Sequence, residues 1–351
     1  MFKIFYFLLI IIFITGCFPF KSGTKIENKP VDNTLALYSW KEYTDLSVLK
    51  DFEKETGIKI VLYEYETTPM MLGDARANPG KYDVIIMEGY MVPSMKDLKL
   101  IEKLDLNKIR NYKNIKKEIR ENPFYEYQRT YFVPHLWGSK GLVYNTKYVR
   151  ENVDSWKVLW NKKYRGKISL IDDPRDTMTV LLKVSGYSLN SKDPKELKVA
   201  EKNGLRLKEN LVKFCDTIGN VEKVMTGEIW IGQAFNGDVC YKAADRKDIK
   251  FVYPKEGYDI SLDAICISSD SRDKDNAYRL LNYLMRPDIS ARFTNSFCYP
   301  SPIDGAEKYV DKKILGNSII YPPSDLINKG EAYRDLGDIN NEYDRIFNLI
   351  K

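Results

Sequence analysis

Short apolar runs alternate with segments of helical periodicity along most of this 351-residue chain. The runs at 35–40, 58–65 and 82–87 are predicted as strands, with helices at 45–56 and 69–77 between them. The segment YDVIIM (82–87) is almost continuously apolar, as is typical of a strand that is covered on both faces. Regular alternation of strands and helices restricts the fold to the α/β class.

The same alternation begins again in the second half of the chain. Strands are predicted at 166–171, 229–235, 248–254 and 262–268, and helices at 174–184, 205–216, 274–285 and 288–296. Two such blocks in a chain of this length predict about two domains.

The first residues are expected to form an export signal rather than part of the fold. A lysine near the start precedes an apolar run from 4 to 14, which is too short to cross a bilayer comfortably. The next residues, ITGC, resemble a bacterial lipoprotein box in which Cys17 is lipidated, although an ordinary signal peptide followed by a chance cysteine is an alternative. We therefore predict a signal peptide at 1–16, a lipid-anchored tether at 17–33 and an exported protein that contacts the membrane through its lipid only.

The composition argues against several kinds of function. The net charge of +6 comes from 55 basic and 49 acidic residues that are scattered along the chain, so nucleic-acid binding is not predicted. The single histidine, His135, provides little from which to build a catalytic triad or a histidine-rich metal centre, and we expect it to be structural. The cysteines after position 17 form no C-x-x-C pair, which disfavours a zinc site and leaves either disulfides or buried thiols.

Three acids gather directly after the predicted strand at 166–171. Asp173 followed by Pro174 predicts an N-cap with proline in the first helical position, and Asp176 then falls in the first turn, where an acid suits the helix dipole. A capping role for one of these acids does not exclude a ligand-binding role for its neighbour.

Acids stand beside aromatic residues or in clusters after four of the predicted strands. The segments are KEY (41–43), EGY (88–90), DDPRD (172–176) and FNGD (235–238). Ligands of open α/β sheets bind outside the carboxyl ends of the strands. Carboxylates accept charge-assisted hydrogen bonds from ammonium groups, and aromatic faces attract cations. The pattern therefore predicts a site for an organic cation.

A series of longer motifs runs in a characteristic order from position 35 to the C-terminus. It includes YSWKEYTDLSVLKDFEKETGIKI, YDVIIMEGYMV, VPHLWGSKGLVYN, YRGKISLIDDPRD and VYPKEGYDISLDAI. These motifs resemble the spermidine/putrescine-binding proteins of ABC importers. The resemblance implies a two-lobed type II periplasmic-binding-protein fold, in which each lobe is a mainly parallel sheet flanked by helices and the ligand lies in a cleft between the lobes. Residues 34–141 with 259–307 would form the first lobe, and 142–258 with 308–351 the second.

The resemblance also implies which residues contact the ligand. Those that match the family are Trp40, Glu42, Tyr43, Tyr90, Asp173, Asp263 and Tyr299, and Asp176 stands where the family often has glutamate. At the remaining predicted positions Phe235 and Ser261 replace tryptophans, Tyr333 replaces a glutamine and Glu88 replaces a small hydroxyl residue. Lys41 also replaces a neutral residue and would neutralise one carboxylate unless its side chain leaves the cleft. No cofactor or metal is implied.

The leading hypothesis is a monomeric, non-enzymatic component of an ABC importer that captures spermidine and/or putrescine and delivers it to a membrane permease. The departures at Glu88, Ser261 and Lys41 leave open a protein of the same fold that binds another cationic amine, an amino acid or a metal ion. A hydrolase that uses a carboxylate pair, such as Asp173 and Asp263, is a further alternative.

Overall fold

The computed structural model describes residues 33–121, 130–210, 212–323, 326 and 328–351. The predicted signal peptide, Cys17 and nearly all of the predicted tether therefore lie outside the described residues. None of the helices in the described part of the chain is both long and apolar enough to cross a membrane.

The first of two sheets contains six strands. They are β1 (Thr34–Trp40), β2 (Lys59–Tyr65), β3 (Val84–Glu88), β4 (Val133–Gly138), β10 (Tyr258–Ile267) and β11 (Gly330–Ala332). Their order is β11-β10-β3-β1-β2, and β4 also pairs with β10. The strand β1 is parallel to β2 and β3, whereas β10 is antiparallel to β3 and β4 and parallel to β11.

The second sheet contains the other five strands. They are β5 (Lys140–Asn145), β6 (Ile168–Ile171), β7 (Lys213–Cys215), β8 (Ile231–Phe235) and β9 (Ile249–Val252), in the order β7-β6-β8-β5-β9. The strand β6 is parallel to β7 and β8, and β5 is antiparallel to β8 and β9. The chain passes from the first sheet to the second between β4 and β5, which only Ser139 separates. The antiparallel pairings involve β10 in the first sheet and β5 in the second. The predicted α/β class is confirmed.

Helices flank both sheets. The α-helices are Leu46–Thr56, Thr68–Ala77, Val92–Asp97, Lys117–Arg120, Pro174–Lys183, Pro194–Lys208, Thr217–Thr226, Asn236–Ala243, Lys274–Leu284, Pro287–Phe297, Lys312–Leu315 and Asn340–Ile350. Short 3-10 helices lie at Gly89–Met91, Leu106–Lys108, Arg110–Asn114, Trp156–Trp160, Lys162–Tyr164, Ala306–Lys308 and Gly337–Ile339.

The central strand β3 shows why its sequence lacks the alternation of a half-exposed strand. Val84 and Ile86 pack into one hydrophobic cluster, while Ile85 and Met87 pack into another on the opposite face of the sheet. Because both faces are covered, an apolar side chain is favoured at every position. The polar Glu88 therefore marks the end of the strand, where the covered sheet gives way to the cleft.

Each predicted strand has a counterpart in the structure, but the helix predicted at 205–216 is wrong in its second half. The helix ends at Lys208, and Lys213–Cys215 is a strand that pairs with β6. The buried Asn210 turns the chain between them, since its carbonyl accepts a hydrogen bond from the Gly166 backbone at 2.7 Å and its side-chain amide donates to the Leu159 carbonyl at 2.9 Å. These contacts come from distant segments and override the local helical periodicity.

The single histidine and the cysteines in the described part of the chain lie mostly within the fold. His135 is 3% exposed, its ring packs edge-on against Phe293, and burial lowers its pKa to about 3, so it is neutral. This environment agrees with the predicted structural role. Cys215, Cys240, Cys266 and Cys298 are free thiols, and all but Cys215 are buried.

Candidate ligand-binding site

A cavity of about 310 Å³ lies where strands of the two sheets end. This volume is at the lower end of the range that ligand pockets occupy, about 300–1,000 Å³. The predicted site residues that line it are Trp40, Glu42, Tyr43, Glu88, Phe235, Ser261, Asp263 and Tyr299. Lining residues that sequence reasoning did not assign to the site include Trp137, Thr217, Asp238, Tyr241, Lys242 and Phe297. The structure thus brings eight of the twelve predicted residues to one cavity.

Glu88 and Asp263 form a pair of carboxylates on neighbouring strands. They stand directly opposite each other in the antiparallel pairing of β3 with β10, which places their Cβ atoms about 4.5–5.5 Å apart. The phenol of Tyr43 donates a hydrogen bond to Asp263 Oδ2 at 2.7 Å. The Glu88 carboxylate accepts no hydrogen bond from any residue that the structure describes. Two like charges in this position destabilise the sheet unless a cation or a proton compensates them.

The electrostatics of this pair follow from its burial in the cleft. Burial raises the pKa of Glu88 to about 8, against the opposing effect of the Lys140 ammonium. Burial also raises the pKa of Asp263 to about 7, although the hydrogen bond from Tyr43 and the charge of Lys140 both lower it. A cation that entered the space between the two groups would favour their ionised forms.

Glu42 lies at the exposed rim of the cavity in an unusual backbone conformation. Its φ angle is +58°, in the left-handed region, and its backbone N–H donates to Glu64 Oε1 at 2.8 Å. The neighbouring Lys41 does not neutralise it, because the Lys41 ammonium lies 3.3 Å from Glu66 and the side chain is 56% exposed. The carboxylate of Glu42 therefore remains available at the mouth of the cleft.

Aromatic rings form much of the cavity wall. Trp40 and Tyr43 meet edge to face with their centroids 5.6 Å apart, and Tyr299 lies 6.0 Å from Tyr43 and 5.9 Å from Phe235 in similar geometry. Such rings offer apolar surface to methylene groups and a favourable electrostatic environment to cations.

Tyr299 connects the two sides of the cavity. It belongs to the hydrophobic cluster of the first sheet, while its phenol donates a hydrogen bond at 2.9 Å to Asp238, on the helix Asn236–Ala243 beside the second sheet. Asp238 accepts a second bond from the Thr217 hydroxyl at 2.7 Å. A Cβ atom at Gly237 would stand 2.5 Å from the Tyr299 ring, and one at Gly138 would stand 2.8 Å from it. Both glycines are therefore needed for the ring to lie where it does.

The other four predicted site residues, Tyr90, Asp173, Asp176 and Tyr333, lie outside this cavity. Asp173 is the N-cap of the helix Pro174–Lys183, as predicted, because its Oδ1 accepts the backbone N–H groups of Arg175 at 2.7 Å and Asp176 at 3.1 Å. Asp173 and Asp263 do not share the cavity, so the arrangement does not support the acid–base pair of a hydrolase.

Lys140 occupies the region around Asp176, and sequence reasoning did not identify it. Its ammonium lies 2.7 Å from Asp176 Oδ1 and 3.1 Å from Asp259 Oδ2. The same nitrogen is 4.3 Å from the centroid of the Phe235 ring and 4.8 Å from that of Tyr333. The lysine side chain is only 1% exposed.

The Lys140 ammonium lies between two carboxylates, and burial raises the pKa of Asp176 to about 7 against the opposing charge of this lysine. Burial alone would lower the pKa of Lys140, but Asp176 and Asp259 raise it well above its usual value, so the side chain is charged. Asp176 also accepts the Tyr333 hydroxyl at 2.8 Å, and Asp259 accepts the Ser261 hydroxyl at 2.9 Å. A lysine at the start of a strand is ordinarily exposed, so the sequence alone carries no signal that this one points inwards.

The described part of the chain does not meet the requirements of a metal site. Among the residues that the structure describes, no group of three or more histidine, cysteine, aspartate or glutamate side chains is arranged to hold a metal ion.

Comparisons with known proteins agree with this architecture. A match to the bacterial extracellular solute-binding proteins covers residues 47–314. The spermidine/putrescine-binding periplasmic protein of Salmonella typhimurium is 30% identical over 322 residues, which cover 91% of this chain and 92% of that protein.

Two solved structures are similar over most of the chain. The TpPotD lipoprotein of Treponema pallidum is 27% identical with a TM-score of 0.83, and the match covers 91% of this chain and 99% of that one. The spermidine/putrescine ABC transporter substrate-binding protein PotD of Streptococcus pneumoniae is 26% identical with a TM-score of 0.80, and the match covers 90% and 98%. The fold, the cleft and these similarities lead to one conclusion: the chain belongs to the bacterial extracellular solute-binding proteins, which are binding proteins and not enzymes.

Proposed function

We propose that this protein is the substrate-binding component of an ABC importer, that it captures a polyamine such as putrescine or spermidine in the cleft, and that it delivers this ligand to a membrane permease. The observation that carries the proposal is the cross-strand pair of Glu88 and Asp263 inside a cavity walled by aromatic rings. An alkyl ammonium ion would lie between the two carboxylates, and its methylene groups would contact the rings.

The expected energetics suit a binding protein. Hydrogen bonds to charged groups contribute roughly 1.5–3 kcal/mol each, and a micromolar dissociation constant corresponds to about 8 kcal/mol. The carboxylates of Glu88 and Asp263, that of Glu42 at the rim and several ring contacts can supply this free energy after the losses from ordering the ligand and closing the cleft.

The relatives support the wider assignment. The similar proteins of Salmonella typhimurium and Streptococcus pneumoniae are named for spermidine and putrescine, and the latter as part of an ABC transporter. We infer lobes at 34–141 with 259–307 and at 142–258 with 308–351, which close over the ligand by hinge motion. We also infer a monomer that is exported and anchored through a lipid on Cys17, and the Treponema pallidum relative is itself named a lipoprotein.

The composition of the cavity favours an amine over an amino acid. The carboxylate of an amino acid would need a free cation, whereas each lysine ammonium at the cleft already lies close to an acid. Lys41 pairs with Glu66 and Lys242 pairs with Glu222, while Lys140 lies between two aspartates. The aromatic walls favour a cation that carries methylene groups over a bare metal ion.

Calorimetry of the mature protein with putrescine, spermidine and spermine tests the proposal. We expect at least one amine to bind with micromolar or higher affinity, and Asp263→Asn to weaken that binding about 10- to 150-fold because one charge-assisted hydrogen bond is lost. The matched control is Asp172→Asn, which removes an exposed aspartate that pairs with Lys351 outside the cavity. Absence of heat with all three amines would contradict the proposal.

A further inference from the structure

We infer that Lys140 is a built-in ammonium group that fills one end of the cleft, so that the protein selects short aliphatic diamines, of the length of putrescine, over longer triamines and tetraamines. The inference rests on the proposed function and specifies the class of amine that the site takes.

The surroundings of the Lys140 ammonium are those that a polyamine ammonium would require. Two carboxylate oxygens, from Asp176 and Asp259, lie within 3.1 Å of it, and the rings of Phe235 and Tyr333 face it at 4.3 and 4.8 Å. The Ser261 hydroxyl completes the group at 3.5 Å. Carboxylates and ring faces are the groups that recognise organic cations. The chain therefore already supplies the cation that these groups can hold.

A ligand gains little by displacing this lysine. A second ammonium would make the same contacts that Lys140 gives up, while Lys140, only 1% exposed, would have to find another position for its charge. The lysine is also held from several directions, because Asp176 lies on the helix Pro174–Lys183, Asp259 on β10, and Tyr333 directly after β11. Its backbone N–H donates to Asp259 as well, at 3.2 Å.

The remaining cavity offers carboxylates for two ammonium groups. The first position lies between Glu88 and Asp263, and the second extends towards Asp238 and the rim residue Glu42. We expect a short diamine to place one ammonium group at each position. The third ammonium of a longer amine would either approach the charge of Lys140 or remain in solvent at the mouth of the cleft. Like charges that are poorly screened repel each other strongly, so a longer amine gains no contact that offsets this cost.

Calorimetric titration of the mature wild-type protein with putrescine and with spermidine gives the first test. We expect putrescine to bind at least tenfold more tightly than spermidine. Lys140→Met removes the charge and keeps a long apolar side chain, so Asp176 and Asp259 become available to a ligand. In this variant we expect the ratio of spermidine affinity to putrescine affinity to rise at least tenfold, whatever the change in each affinity alone.

Two further variants serve as controls. Lys140→Gln provides a second, polar way to remove the charge and keeps the test valid if the methionine variant does not fold. Lys183→Met removes another largely buried lysine, whose ammonium lies 2.6 Å from Glu331 and outside the cavity, and the ratio of the two affinities should stay as in the wild type.

The outcomes separate the inference from the function on which it rests. If the wild type binds spermidine as tightly as putrescine or more tightly, or if neither Lys140 variant that folds shifts the ratio, the inference is wrong and the polyamine function stands. If the wild type binds no amine, both are wrong.

Discussion

The two ends of the cleft differ in whether a cation of the protein lies in contact with the buried carboxylates. Around Lys140 the protein supplies its own cation, and Asp176 and Asp259 are paired within 3.1 Å of it. Around Glu88 and Asp263 the closest compensation is the neutral phenol of Tyr43. A buried ionised carboxylate without a cation destabilises the ligand-free protein, and a ligand that brings a cation removes this penalty. From this contrast we infer that the acids without a contacting cation, rather than the acids in general, form the proposed ligand site.

The largest expected effect is on the free energy of unfolding, which should fall when Lys140 is substituted but not when Glu88 is. Lys140→Met should lower the free energy of unfolding of the ligand-free protein at pH 8 by about 3–5 kcal/mol, because it leaves two buried carboxylates without their cation. Glu88→Gln should leave this free energy unchanged or raise it by up to about 1 kcal/mol, because it removes a poorly solvated charge. Urea unfolding measures both values. Equal losses in the two variants would contradict the comparison.

The second prediction concerns the pH dependence of amine affinity. Burial raises the pKa of Glu88 to about 8 and that of Asp263 to about 7, so the ligand-free cleft holds protons near neutral pH that a bound cation must displace. Affinity for an amine should therefore fall at least about tenfold between pH 8 and pH 6. Calorimetry in buffers of different ionisation enthalpy should detect proton release on binding. Equal affinities at the two pH values would show that these carboxylates do not contact the ligand.

The raised pKa values of Glu88 and Asp263 also predict how the stability of the ligand-free protein changes with pH. A carboxyl group whose pKa is higher in the folded than in the unfolded state stabilises the fold below its unfolded pKa, near 4, and this contribution is lost as the pH rises through the folded value. The contribution of Glu88 and Asp263 should thus decline between about pH 4 and pH 8. A saturating amine should reverse the decline, which thermal unfolding at each pH can measure.

The smallest expected effect comes from the neutral partner of Asp263. Tyr43→Phe removes one hydrogen bond but keeps the ring, so amine affinity should fall about two- to tenfold. Tyr283→Phe is a suitable control, because Tyr283 is buried against Phe52 in the first core and its phenol bonds only weakly, at 3.5 Å, to the Val48 carbonyl. A loss larger than that of Asp263→Asn would mean that Tyr43 itself holds the ligand.

Features that depend on neighbouring residues could be predicted from the sequence. The cap at Asp173, the proline after it and the buried strand β3 are encoded within a few positions. The carboxyl ends of the strands also indicated the cavity, because the order of elements in an α/β fold brings those ends together. Eight of the predicted residues line the cavity for this reason.

The features that were missed depend on distant parts of the chain. The burial of Lys140 requires Asp259, which is 119 residues away in sequence, and no local pattern distinguishes this lysine from an exposed one. Asp176 lies outside the cavity, in contact with the ammonium of the same buried lysine. Asn210 ends its helix through bonds to Leu159 and Gly166, which are equally invisible in the local sequence.

The contacts of the Tyr299 ring also bear on the size of ligand that the cleft can hold. Gly237, on the helix beside the second sheet, lies so close to the Tyr299 ring that it has no room for a Cβ atom, so the two sides already meet there backbone against aromatic carbon. In the hinge motion that we infer, this contact limits how closely the two sides approach, and the limit is set by the protein rather than by the ligand. A molecule that is too short would then leave room for water, and one that is too long would keep the two sides apart.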